Sequence, residues 1–214
     1  MRGPKTKAAI AIRDHVPDYQ KLFTMQFTVP RLREAYDTYW YFTATADDSK
    51  RDEFLAALEE ATTEYRAVDV FLLAHGNRYI DWVATLPAEQ RARIRLVYDT
   101  GCGDDRQAPE WLALGVASFV GHGDDNVAPV FYVSFLPAWL AGRSLEESVE
   151  LSNAALRQRL FSPWGRALFQ DGSSADLERL YQRTRGTSFR RLPLHLQPAV
   201  HTSAGVEPHQ WQET

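Results

Sequence analysis

The chain has 214 residues, one domain's length, enough to bury roughly 70% of the surface its unfolded form exposes without help from a disulfide or structural metal. Its 44% hydrophobic and 24% charged residues are ordinary for a soluble globular protein, and a net charge of −4 argues against nucleic-acid binding through bulk positive charge. One cysteine excludes an intrachain disulfide and Cys-rich zinc sites, and no apolar run approaches the roughly 18 residues of a membrane span. The basic start, 1–7, is followed by no signal-like apolar stretch, so a cytoplasmic protein is expected.

The apolar run 8–12 predicts a buried strand ending at Arg13-Asp14. Residues 15–37, interrupted by Pro17 and Pro30, read as irregular. The aromatic, β-branched stretch 38–44 predicts a second strand. Asp47, Asp48 and Ser49 are candidate caps for a helix through about 67, in which Phe54, Leu55, Leu58 and Ala61 recur at helical spacing. A strand over 68–74 stops at His75-Gly76. A short helical stretch over 82–93 contains Pro87, and a strand over 94–98 stops at Asp99-Thr100-Gly101-Cys102-Gly103. A brief helix over 108–114 leads to a strand over 116–120, stopping at Gly121-His122-Gly123. Helices over 126–141 and 144–160 follow, with Gly142 placed to end the first and Ser144 with Glu147 forming a capping-box sequence for the second.

This alternation predicts an α/β fold: a three-layer αβα sandwich around a mainly parallel sheet, covering residues 1–160. Residues 161–214 read as a C-terminal extension, partly helical near 175–183 and frayed after Gln197. Eight arginines fall between Arg157 and Arg191, a solvated face or a docking surface for an acidic protein partner.

The sequence has no G-x-x-x-x-G-K-[ST], no G-x-G-x-x-G, no H-E-x-x-H and no G-x-S-x-G. The remaining signal is positional. On parallel α/β sheets, reactive groups gather beyond the carboxyl ends of the strands. His75 and the sole cysteine, Cys102, end consecutive predicted strands. Neighbouring strands lie about 5 Å apart, so such a pair would face one cleft with sulfur and imidazole about 4–7 Å apart. An imidazole there can take the thiol proton or hold the thiolate as an ion pair. The backbone N–H groups of Gly76 and Cys102 are candidate oxyanion donors.

VDVFLLAHGN and IRLVYDTGCGDD, in this order on successive strands, resemble the caspase-fold cysteine peptidases. The downstream text, WLALGVASFVGHGDDNVAPVFYVSFLPAWLAGRSLEESVELSNAAL, is similar to the CHAT and gingipain branch. The resemblance covers roughly residues 7–160. It implies a caspase-like topology, Cys102 as nucleophile, His75 as acid and base, Gly76 as an oxyanion donor and a peptide or protein substrate without a cofactor. Thr100 stands where related enzymes carry an aspartate for a basic side chain, and Asp99 is one position off. Arg13, Asp14, Thr100, Asp124 and Asp125 are the candidate substrate-binding residues, and their three aspartates predict a preference for a basic residue before the cleaved bond.

Two other readings are compatible with these residues. One is a non-catalytic caspase-like scaffold that binds a partner through the same cleft or the arginine-rich tail. The other is a His-dependent chelatase or metal-binding protein, with His75, His122 and Asp124 as the donors; no carboxylate spacing supports that site, so no metal is expected.

Overall fold

Three apolar strands form the centre of the computed structural model, which describes residues 6–14, 18–74, 78–101, 103–122, 131–160 and 198–202. β1 (Lys7–Arg13), β3 (Ala67–Leu73) and β4 (Ile94–Asp99) are almost wholly buried because both of their faces are covered. β2 (Thr38–Thr43) is a half-exposed edge, and β5 (Ser118–His122) continues the sheet on the other side. The order is β2-β1-β3-β4-β5, all parallel. β6 (Pro198–Thr202) adds an antiparallel strand to β5. The fold is thus α/β, with helices on both faces of the sheet.

Alternate side chains enter two separate cores. Ile10, Ile12, Val70, Leu72 and Val97 pack against α2 (Arg51–Glu64), α3 (Arg78–Ala84) and α5 (Ala108–Ala113) through Phe54, Tyr79, Trp82 and Trp111. α4 (Ala88–Arg91) is a single turn on this side, begun at Pro87; the predicted helix over 82–93 is therefore two short helices. Ala9, Ala11, Phe71, Leu73, Leu96 and Tyr98 face the other layer. That layer holds α1 (Asp18–Ala35), a wide turn at Phe131–Phe135, α6 (Leu136–Leu140) and α7 (Leu145–Leu160). No helix among the described residues is long and apolar enough to cross a membrane.

Several expectations are corrected. The stretch read as irregular contains α1, with Pro30 on an exposed position inside it. Its buried positions Thr24, Thr28 and Leu32 follow the helical i, i+4 spacing, but two of them are polar. Met25 and Phe27 point outward, so no apolar stripe marks the helix. α2 is not capped by Asp47, Asp48 or Ser49. Its cap position is Lys50, left-handed at φ 57°, with Asp48 Oδ1 accepting the Lys50 N–H at 3.2 Å. The tail returns to the sheet as β6 after Gln197. The helix expected at 175–183 lies outside the described residues.

The capping box at α7 forms as read. Glu147 N–H donates to Ser144 Oγ at 3.0 Å, and Ser144 N–H donates to Glu147 Oε2 at 3.2 Å. Gly142, at φ 78°, ends α6.

Candidate active site

In the order 2-1-3-4-5, chain direction across the sheet reverses between β1 and β3, and ligand crevices form outside the carboxyl ends at such a switch point. Arg13 and Asp14 stand at the end of β1, Leu73 and Ala74 at the end of β3, and Asp99, Thr100 and Gly101 at the end of β4. β3 and β4 are hydrogen-bonded parallel neighbours with Leu72 opposite Asp99, and Thr100 N–H extends the ladder to Leu72 O at 2.9 Å. His75, Gly76, Cys102, Asp124 and Asp125 lie outside the described residues.

The described candidates are buried rather than open to a ligand. Arg13 Nη1 donates to Leu73 O at 2.8 Å, across the register pair Arg13/Leu73. Asp14 is fully buried. Its Oδ2 accepts the Tyr79 hydroxyl at 2.9 Å and forms an ion pair with Arg78. The Arg78 guanidinium also lies over the rings of Tyr79, at 5.5 Å, and Trp82, at 5.4 Å. Burial pushes the Tyr79 phenol up to about 12, which keeps it a donor. The carboxylate count used to predict a basic preference therefore changes: Asp14 is held by α3, and Arg78, which the sequence reading left out, joins the site. Thr100 is buried too, its hydroxyl donating to Leu72 O at 3.3 Å.

The turn after β4 is tightly built. Asp99 Oδ1 accepts the Gly101 N–H at 2.8 Å. A Cβ on Gly101 would fall on the Asp104 carboxyl and 3.1 Å from Ala74 O, so only glycine fits between the ends of β3 and β4. Asp104 begins a 3₁₀ turn, Asp104–Gln107, and its Oδ1 accepts Gln107 Nε2 at 2.7 Å. Gln107 in turn accepts the Trp111 indole N–H at 3.3 Å. Asp99 is 1% exposed and Asp104 7%. Burial, and then the neighbouring Asp104, hold the Asp99 carboxyl well above the usual carboxylate range.

His122, read as a loop residue, is instead the last residue of β5 and 2% exposed. The Tyr98 hydroxyl lies 3.3 Å from its Nε2, while Nδ1 has no partner among the described residues. Burial pushes its imidazole down to about 4, so it is neutral at physiological pH. Among the described residues no three His, Cys, Asp or Glu side chains gather as a metal site. The arginines from Arg166 to Arg191 lie outside the described residues.

No family model, no curated protein and no solved structure matches this chain.

Proposed function

We propose that the chain is a cysteine endopeptidase acting through His75 and Cys102. The observation that carries this reading is the register of β3 and β4. Leu72 is opposite Asp99, and His75 and Cys102 each follow three residues later on adjacent parallel strands. Phe71 and Leu73 share the parity of position 75, Leu96 and Tyr98 share that of position 102, and all four face the same layer. The switch point beside these strand ends is where such a sheet admits a ligand.

The imidazole of His75 takes the Cys102 thiol proton, and the thiolate attacks the scissile carbonyl carbon. The Gly76 and Cys102 N–H groups hold the oxyanion. The C–N bond then breaks, the leaving amine takes the proton from the imidazolium, and water hydrolyses the remaining thioester with His75 as base. No cofactor enters these steps.

A non-catalytic, partner-binding protein of the same fold is the second reading. It is favoured by the burial of Arg13, Asp14 and Thr100, which leaves no exposed specificity group among these three. Thiol kinetics separate the two. A peptidase Cys102 reacts with iodoacetamide near neutral pH faster than a model thiol, and His75→Ala slows it to the model rate. A scaffold gives ordinary reactivity in both proteins. The basic preference now rests on Asp124 and Asp125. Fluorogenic peptides ending in Arg, Asp or Ala test it: the Arg peptide is expected to turn over fastest, and faster turnover of the Asp peptide contradicts it.

A further inference from the structure

Two buried carboxyl groups flank the cysteine in sequence, and the proposed chemistry uses neither. Asp99 Oδ1 is satisfied by the Gly101 N–H, but Oδ2 is buried and receives no donor N–H or O–H among the described residues. What stands against Asp99 is the Asp104 carboxyl, close enough to hydrogen-bond to it. Two carboxylates supply acceptors only, so they can bond to each other only if one carries a proton. Two unit charges this close and this buried cannot both persist, and a shared proton removes the conflict.

No cation offers the alternative. Arg78, on α3, is paired with Asp14 and stacked on Tyr79 and Trp82. Arg106, in the 3₁₀ turn, donates its Nε–H to Gly103 O at 2.7 Å. Tyr79 is a neutral phenol directed at Asp14, and Asp105 adds negative charge. The pair also has a mechanical role. Asp99 fixes Gly101, Asp104 packs on Gly101 Cα, and Gln107 and Trp111 brace Asp104 from α5.

We propose that Asp99 and Asp104 form a carboxyl–carboxylate hydrogen bond around one shared proton, and that this bond makes Asp99 a positioning residue for the turn that carries Cys102. The proposal is independent of the peptidase reading, because the turn is held whether or not Cys102 attacks a carbonyl.

The test compares wild type, Asp99→Asn and Asp99→Ala. Asn at this position still accepts from Gly101 and donates permanently to Asp104. Wild type must take up a proton on folding above the pKa of an unfolded aspartate, so it loses stability relative to Asp99→Asn as pH rises. The urea midpoints of the two proteins are expected to coincide near about pH 4, and that of Asp99→Asn to be the higher near about pH 8. Iodoacetamide labelling of Cys102 is the second reading. Its rate is expected to change several-fold in Asp99→Ala and to return to the wild-type rate in Asp99→Asn. Parallel midpoints in wild type and Asp99→Asn overturn the shared proton. An unchanged labelling rate in Asp99→Ala, or failure of Asp99→Asn to restore it, overturns the positioning role. If Asp99→Ala does not fold, the midpoints still decide. A protein that cleaves no peptide gives the same readings, so the two proposals fail separately.

Discussion

The two ends of the sheet bury charge in different ways. Near the amino end, β3 and β4 slip register between Val68/Ile94 and Asp69/Leu96, leaving Arg95 as the extra residue of a bulge. A bulge re-aims its side chain, and Arg95 turns onto Asp69, donating Nε–H to Oδ1 at 2.8 Å and Nη2 to Oδ2. Tyr36 from α1 and Trp139 from α6 donate to the same Oδ2, at 2.5 and 2.8 Å. The guanidinium lies 4.7 Å from the Trp139 ring centre. Both oxygens of Asp69 are thus satisfied, by groups from three elements. At the carboxyl end, Asp99 Oδ2 and His122 Nδ1 are buried without a donor or acceptor among the described residues. A fully satisfied polar network locks layers together, whereas incompletely satisfied buried groups concentrate where a fold does chemistry. The first cluster explains how the layers stay in register; the second marks the end of the sheet to test for function.

The largest break in this contrast is at the amino end. Asp69→Ala strands the buried Arg95 charge and three other donors, and is expected to cost roughly 3–5 kcal/mol in urea unfolding. A loss under about 1 kcal/mol would show that the network is dispensable.

His122 gives the next effect, through pH. The folded protein keeps this imidazole neutral down to about 4, while the unfolded chain protonates it near 6.5. Its contribution is intact above about pH 6.5 and is lost as pH falls toward 4, by about 3 kcal/mol in all. His122→Gln should flatten the stability–pH curve in that window, and a variant curve parallel to wild type would contradict the assignment.

The smallest effect sharpens the carboxyl end. Gly101→Ala places a methyl on the Asp104 carboxyl and against Ala74 O, and is expected to cost roughly 1–3 kcal/mol. Thermal unfolding measures it; a neutral substitution would mean the strand ends are not in close approach.

The central strands were legible because 8–12, 68–74 and 94–98 are apolar runs, and runs buried on both faces need no alternation to be recognised. The α7 cap was legible because Ser144 and Glu147 act across three residues. What sequence hid is of two kinds. α1 buries threonines and exposes Met25 and Phe27, so its pattern contradicts its burial. The pairing of Asp14 with Tyr79 spans 65 residues, and β6 reaches β5 from the far end of the chain. Such long-range pairings leave no local periodicity. The adjacency of β3 and β4 was expected and is present, but the bracing of their ends by Asp104, Gln107 and Arg78 depends on contacts that spacing does not encode.

The most direct test of the central claim is cleavage of a positional peptide library by purified wild type and Cys102→Ala, with urea midpoints to verify folding. The account predicts that wild type hydrolyses peptide bonds and that Cys102→Ala, folded with a near-wild-type midpoint, does not. Cleavage retained in folded Cys102→Ala would contradict it.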